Sequence, residues 1–293
     1  FHGGGQVEDN GLVRGGVEVV QHGGADLHGV VHLGAHEGLR GVLVPQIHPR
    51  VEGGLAQLPE RVPSRLLRYT QEELDQKVRT AYERNIQVGA HVIGDRAADM
   101  LTTAIERAYR ENPKPDPRFR MIHMSLLNED IISRIADLPV VLDIQPMFVS
   151  TNVRWSESRV GHERSRYHYC WRTLLDNNMI LTAGSDSPCE SYDPMDGIYA
   201  VTTRCGMDGY PEGGWFPEEK VTVYEALEMY TKNAAYVSFE EDLKGTIETG
   251  KLADFVILNK DIFHTEPEKI KDIQVEKTYL GGRMVYERGS GLQ

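Results

Sequence analysis

Cysteine is scarce in this chain. Cys170, Cys189 and Cys205 are odd in number and form no CxxC pair, which argues against a secreted disulfide framework or a CxxC zinc or redox module and fits a reducing compartment. Long apolar runs are missing too. No stretch approaches the roughly 20 apolar residues needed to span a bilayer, and the first residues carry no basic-then-apolar signal pattern. A cytoplasmic location without a membrane partner is the expectation. Basic charge is outnumbered: 32 Lys and Arg stand against 44 Asp and Glu, a net charge of -12. That balance repels a phosphate backbone, so no nucleic-acid partner is expected. No glycine-rich phosphate loop follows any candidate strand, which weakens a nucleotide-binding reading.

A further shortage is local. The first 60 residues contain no Lys, Ser, Thr, Tyr, Trp, Cys or Met, yet hold 14 glycines and 6 histidines. Short apolar pieces such as Gly41-Val42-Leu43-Val44-Pro45 suit strands, but glycine interrupts every longer element. Residues 1–63 therefore read as an irregular leader. Its histidines, His28 and His32 among them, lack carboxylate or cysteine partners at metal-site spacing.

From residue 70 the pattern is regular. The 293-residue chain is 40% hydrophobic, enough for a sizeable core. Thr70 and Glu73 form a capping box for a helix through Leu74, Val78 and Ala81, and Asn85 can stop it. Residues 86–92 read as a buried strand and 97–109 as a helix. The proline-rich segment 111–118 must be a connection, because proline removes donors and restricts the preceding residue. Strand 119–123, a helix over 128–138 capped by Asn128, strand 140–144, a helix over 171–177 and strand 180–183 follow. Buried strands alternating with helices predict a parallel sheet with right-handed crossovers, either open or half of a barrel. Thr222 and Glu225 form a second capping box, for a helix running toward Ala235. Residues 275–280 and 283–286 read as a hairpin turned by Gly281-Gly282.

Three of the parallel runs end in a group suited to hydrolysis: Gly89-Ala90-His91, Met121-Ile122-His123 and Ala183-Gly184-Ser185-Asp186. Strands of one parallel sheet present such ends at a common carboxyl-terminal rim. Two neutral imidazoles and a carboxylate suit a divalent ion such as zinc, which lowers the pKa of its bound water and polarises a carbonyl. Each residue also has a plainer role: a histidine after a strand serves as a structural hydrogen-bonding group, and Asp186 before Ser187-Pro188 serves as a turn former.

The order of His91-Val92-Ile93-Gly94-Asp95-Arg96-Ala97, Ile122-His123-Met124, Asp143-Ile144-Gln145-Pro146, Gly184-Ser185-Asp186-Ser187-Pro188 and Gly250-Lys251-Leu252-Ala253-Asp254-Phe255-Val256-Ile257-Leu258 resembles the metal-dependent amidohydrolases. The likeness is to the amidohydrolase 3 branch, which includes N-substituted formamide deformylase-like proteins, and covers roughly residues 66 to 288. It implies a distorted (β/α)8 barrel beside a small β-sandwich, a divalent metal such as zinc, and a small-molecule substrate with an amide-like C–N bond. It also implies that His91 and His123 are metal ligands, and that Asp186 is both ligand and proton shuttle. The His-x-His pair of a first barrel strand and a bridging residue have no convincing match here. The chain thus reads as the carboxyl-terminal half of such a protein: an α/β fold with a partial TIM-like barrel over 64–240 and part of a small β-sandwich over 241–293. The corresponding alternative is a non-catalytic fragment or structural module that retains a half metal site. Uncovered strand edges make self-association or a homo-oligomer an expectation.

Asp95, Gln145 and Arg204 are further candidates, either supporting the ligands or touching substrate. Asp95 can brace the strand-to-helix turn with Arg96 as partner, and Gln145 either contacts substrate or ends its strand. Residues 148–169, with Trp155, Arg154, Arg159 and Arg164, read as a solvated loop or as a lid over a substrate. Residues 206–217, rich in turn formers, read as a surface or rim loop.

Overall fold

The computed structural model describes residues 68–290 together with β1 (Val42–Leu43) and β2 (Gln46–Ile47). His28, His32 and most of the leader lie outside the described residues. The body then runs α1 (Gln71–Glu83), β3 (Gln87–Val92), α2 (Asp95–Glu111), β4 (Phe119–His123), α3 (Glu129–Ala136) and β5 (Val140–Ile144). It continues through α4 (Met147–Asn152), α5 (Ser156–Val160), α6 (His162–Ser165), α7 (Trp171–Asp176), β6 (Ile180–Ala183), α8 (Pro194–Thr203), α9 (Val223–Tyr230) and α10 (Lys232–Val237). The strands pair in parallel in the order β1-β3-β4-β5-β6, with β2 also on β3. With helices as crossovers this is a partial (β/α)8 barrel.

Local chemistry sets the boundaries. Thr70 accepts the Glu73 amide while the Glu73 carboxylate accepts the Thr70 amide, and Asn85 follows α1 in a left-handed conformation (φ 57°), which a short polar side chain tolerates. On α2, Ala97, Leu101, Ala104, Ile105 and Ala108 recur at helical spacing and are buried, so the helix covers the sheet with one apolar stripe. Both observed helices α2 and α3 differ from the sequence reading only at their ends.

Strand alternation divides the sheet into two faces. Val88, Ala90 and Val92, with Met121, Leu142, Ile144 and Leu181, join the helices in one core. The opposite, inner face carries Gly89, His91, Arg120, Ile122, Val141 and Asp143. Register places His91 beside Ile122, Ile122 beside Asp143 and Asp143 beside Thr182, so these four occupy one layer. At the opposite ends of the strands Arg118 is buried and locks α10 beneath the sheet. It bonds Asp116, Glu241 at 2.5 Å and the Tyr236 carbonyl, and lies over the Tyr236 and Phe239 rings.

Two expectations need correction. Residues 148–169 are not a solvated loop: they fold into α4, α5 and α6, and bury Val149, Val153, Ser156, Ser165 and His168. The helix after Thr222 is not continuous either. Its capping box forms, but Thr231 leaves helical geometry (φ -126°, ψ -88°) and its hydroxyl donates to the Leu227 carbonyl, so α9 and α10 are separate.

The chain ends in an antiparallel sheet of β7 (Phe255–Leu258), β8 (Val275–Leu280) and β9 (Arg283–Glu287), a remnant of a small β-sandwich. Gly281 and Gly282 both have positive φ (55° and 77°), as a tight two-residue hairpin turn requires. Among the described residues no helix is long and apolar enough to cross a membrane.

Candidate metal centre

Register alone would put His123 level with Val92, on the helix-facing side of the sheet. The backbone turns left-handed at His123 (φ 76°) and Met124 (φ 47°), which breaks the alternation. His123 Nε2 consequently meets His91 Nδ1 at 2.8 Å, with the ring centroids 4.9 Å apart. The turn is fixed from below, because the Met124 amide donates to the Val92 carbonyl and the Leu126 amide to the Ile93 carbonyl. Both histidines are thus held in one hydrogen-bonded frame; His123 is buried and His91 half-buried.

Asp186 does not join them in a ligand group. It is exposed on the loop after β6, in a left-handed conformation (φ 56°), where its neighbour is Cys189. Burial, and after it the Asp186 carboxylate, raises the pKa of that thiol. Among the described residues no group of three or more His, Cys, Asp or Glu side chains stands ready to hold an ion. The histidine pair supplies two donors. Tetrahedral zinc with ligands near 2.0–2.1 Å needs nitrogens about 3.3 Å apart, so the rings must part by about half an ångström, turn both lone pairs toward one point, and the donor imidazole must carry its proton on its other nitrogen. The pair fits a metal; the described set does not complete its coordination.

The remaining candidates have definite places. Asp95 accepts the Arg96 amide and the Arg164 guanidinium, each at 2.8 Å, while the Arg96 side chain turns instead to Asp99. The expected Arg96 partner is therefore replaced by a residue of α6, which ties that helix to the loop after His91. Gln145 is buried, and its amide donates to the Asp143 carbonyl at 3.1 Å. Arg204 has no exposed surface; its Nε donates to the Trp215 carbonyl and its Nη1 to that of Tyr169.

Sequence reading missed the ion pair beneath the histidines. Arg120 grips Asp143 Oδ2 through Nε at 2.6 Å and Nη2 at 2.5 Å. Burial raises the Asp143 pKa while Arg120 opposes it. The signal was an Arg and an Asp on inward positions of adjacent strands, visible once the register is known. A cavity of about 560 Å³ opens elsewhere, beside Glu129, Arg166, Thr173 and Glu218; it includes none of the candidate site residues.

YtcJ of Bacillus subtilis (strain 168) is 33% identical over 217 residues, covering 74% of this chain and 40% of its own length. N-substituted formamide deformylase of Arthrobacter pascens is 30% identical over 224 residues, 75% of this chain and 40% of the enzyme. The crystal structure of an uncharacterized metal-dependent hydrolase from Pyrococcus furiosus superposes with a TM-score of 0.55 at 33% identity, covering 64% of this chain and 36% of that one. The chain thus spans about two fifths of the length of these relatives. The Amidohydro_3 model of the amidohydrolase family matches residues 53–286, more than half of the sequence, and the chain belongs to that family.

Proposed function

We propose that this chain carries the carboxyl-terminal half of a metal-dependent amidohydrolase site, one that hydrolyses amide-like C–N bonds in small molecules. The observation that carries the reading is the His91–His123 pair, two imidazole nitrogens turned toward each other at 2.8 Å at the ends of adjacent parallel strands. Family membership and the N-substituted formamide deformylase likeness support the reaction class. A bound divalent metal such as zinc would supply an acidified water and polarise the scissile carbonyl. His91 and His123 would hold it in their neutral forms. Asp186, exposed on the loop after β6, would move toward the pair, take the proton of the attacking water and deliver it to the leaving nitrogen. Asp186 would also serve as a ligand once there; among the described residues no such group is assembled.

A second reading, a module that keeps the half site without catalysis, is favoured by one observation: Asp186 stands apart from the histidines among the described residues. Turnover of N-substituted formamides by the zinc-supplied chain, compared with Asp186→Asn, tests the proposal. Weak zinc-dependent hydrolysis that is lost in Asp186→Asn supports it. Hydrolysis unchanged by that substitution refutes the proton role, and zinc binding without any turnover favours the second reading.

A further inference from the structure

Arg204 is an expensive residue to bury. It has no exposed surface, and desolvation lowers its pKa to about 10, so it is still a cation at neutral pH. Glu219 acts on it through space, but its bonds go to carbonyls, those of Tyr169 at 2.8 Å and Trp215 at 2.6 Å. Its guanidinium lies 5.6 Å from the Trp171 ring centre and 5.4 Å from that of Trp215, where the ring faces offset part of the lost hydration. Nη2 is buried without a partner. An apolar side chain of the same volume would avoid these costs but could not hold two carbonyls at once. What the cation provides is geometry.

That geometry leads to His123. Tyr169, whose carbonyl Arg204 holds, sits in a left-handed conformation (φ 56°) and donates its amide to the Ser125 carbonyl at 2.8 Å. Continuing antiparallel from that bond, His168 bridges to Leu126, and the Leu127 amide donates to the Tyr167 carbonyl. Residues 167–169 therefore clamp the segment that leaves His123, on the side opposite the Val92 and Ile93 carbonyls. We propose that Arg204 is a positioning residue: by fixing Tyr169 it holds the left-handed turn after His123, and so keeps the His123 ring directed at His91. This rests on the half-site reading above and extends it to a residue that touches neither histidine.

The test uses the full chain, metal-free, with 15N-labelled histidine, in which the His91 Nδ1 to His123 Nε2 contact appears as a coupling between the ring nitrogens. Zinc alone is titrated in parallel. Arg204→Lys and Arg204→Met are expected to lose the coupling and to bind zinc about 10- to 100-fold more weakly, with near-UV circular dichroism retained. Leu174→Ala, which empties a site in the same core outside this chain of bonds, is expected to lower stability and to change neither readout. Coupling intact and affinity within about twofold of the parent in a folded Arg204 variant would overturn the inference; if Arg204→Met does not fold, Arg204→Lys decides. A parent chain with neither coupling nor zinc binding overturns the half site itself, an outcome distinct from failure of the variants alone.

Discussion

His91 Nδ1 and His123 Nε2 stand 2.8 Å apart although register sets His123 level with Val92. The left-handed turn at His123 and Met124 closes that gap, and it costs conformational energy that the surrounding hydrogen bonds must offset. Such a turn, in buried residues at a strand end, is more informative about the site than either histidine taken singly.

The Arg120–Asp143 pair lies on the same inner face, and its two members differ in exposure: the Arg120 side chain retains 28% of its accessible surface and that of Asp143 10%. Losing the arginine should therefore hurt more than losing the carboxylate. Arg120→Met leaves a buried carboxyl without its counter-charge and is expected to cost about 3 kcal/mol, whereas Asp143→Asn leaves a cation that water still reaches. Urea unfolding of both single variants and the double variant should give a coupling energy of about 0.5–3 kcal/mol; additive effects would contradict the pairing.

Arg118 joins the base of the sheet to the segment after α10. Its side chain is 6% exposed, while those of its partners Asp116 and Glu241 are 45% and 35% exposed. Because water can re-solvate those carboxylates, Arg118→Ala should destabilise by about 2–3 kcal/mol, less than breaking a wholly buried pair. The checks are a lower urea midpoint and an unchanged denaturant slope. A change below about 0.5 kcal/mol would show that packing of α10 alone closes this end.

The parts of the fold legible in the sequence are those where local chemistry agrees with tertiary demand. Strand β4 ends at His123 as the pattern required, the Thr70–Glu73 and Thr222–Glu225 boxes form, and Gly281-Gly282 turns its hairpin. The short helices α4, α5 and α6 escaped because they have too few turns to show a period, and their burial comes from the rim. Periodicity also hides the turning of His123 and the partnering of Asp95 by Arg164, which depend on contacts 32 and 69 residues away in sequence. The burial of Arg204 was invisible for the same reason. Arg204 is among the sequence candidates, but its partners Tyr169 and Trp171 come from a segment more than 30 residues earlier, which no local pattern reveals.

His168 gives the fold an acid-sensitive term. Burial, and then the nearby Arg204 charge, lower its pKa from 6.5 to about 4. The unfolded chain thus binds a proton between these values that the folded chain refuses. Stability from this group is full above pH 6.5 and is lost as pH falls toward 4, by about 2–3 kcal/mol. His168→Phe, which can keep the stacking on Tyr169, should flatten that part of the stability–pH curve relative to the parent. Parallel curves for the two proteins would contradict the assignment.

The central claim is that His91 and His123 form one half of a metal site, and zinc stoichiometry after equilibrium dialysis tests it most directly. The parent chain should retain about one zinc per chain, and His91→Ala and His123→Ala should each lower the affinity by at least about tenfold, with the double variant no worse than the weaker single. Retention of zinc by the double variant at the parent's affinity would contradict the account.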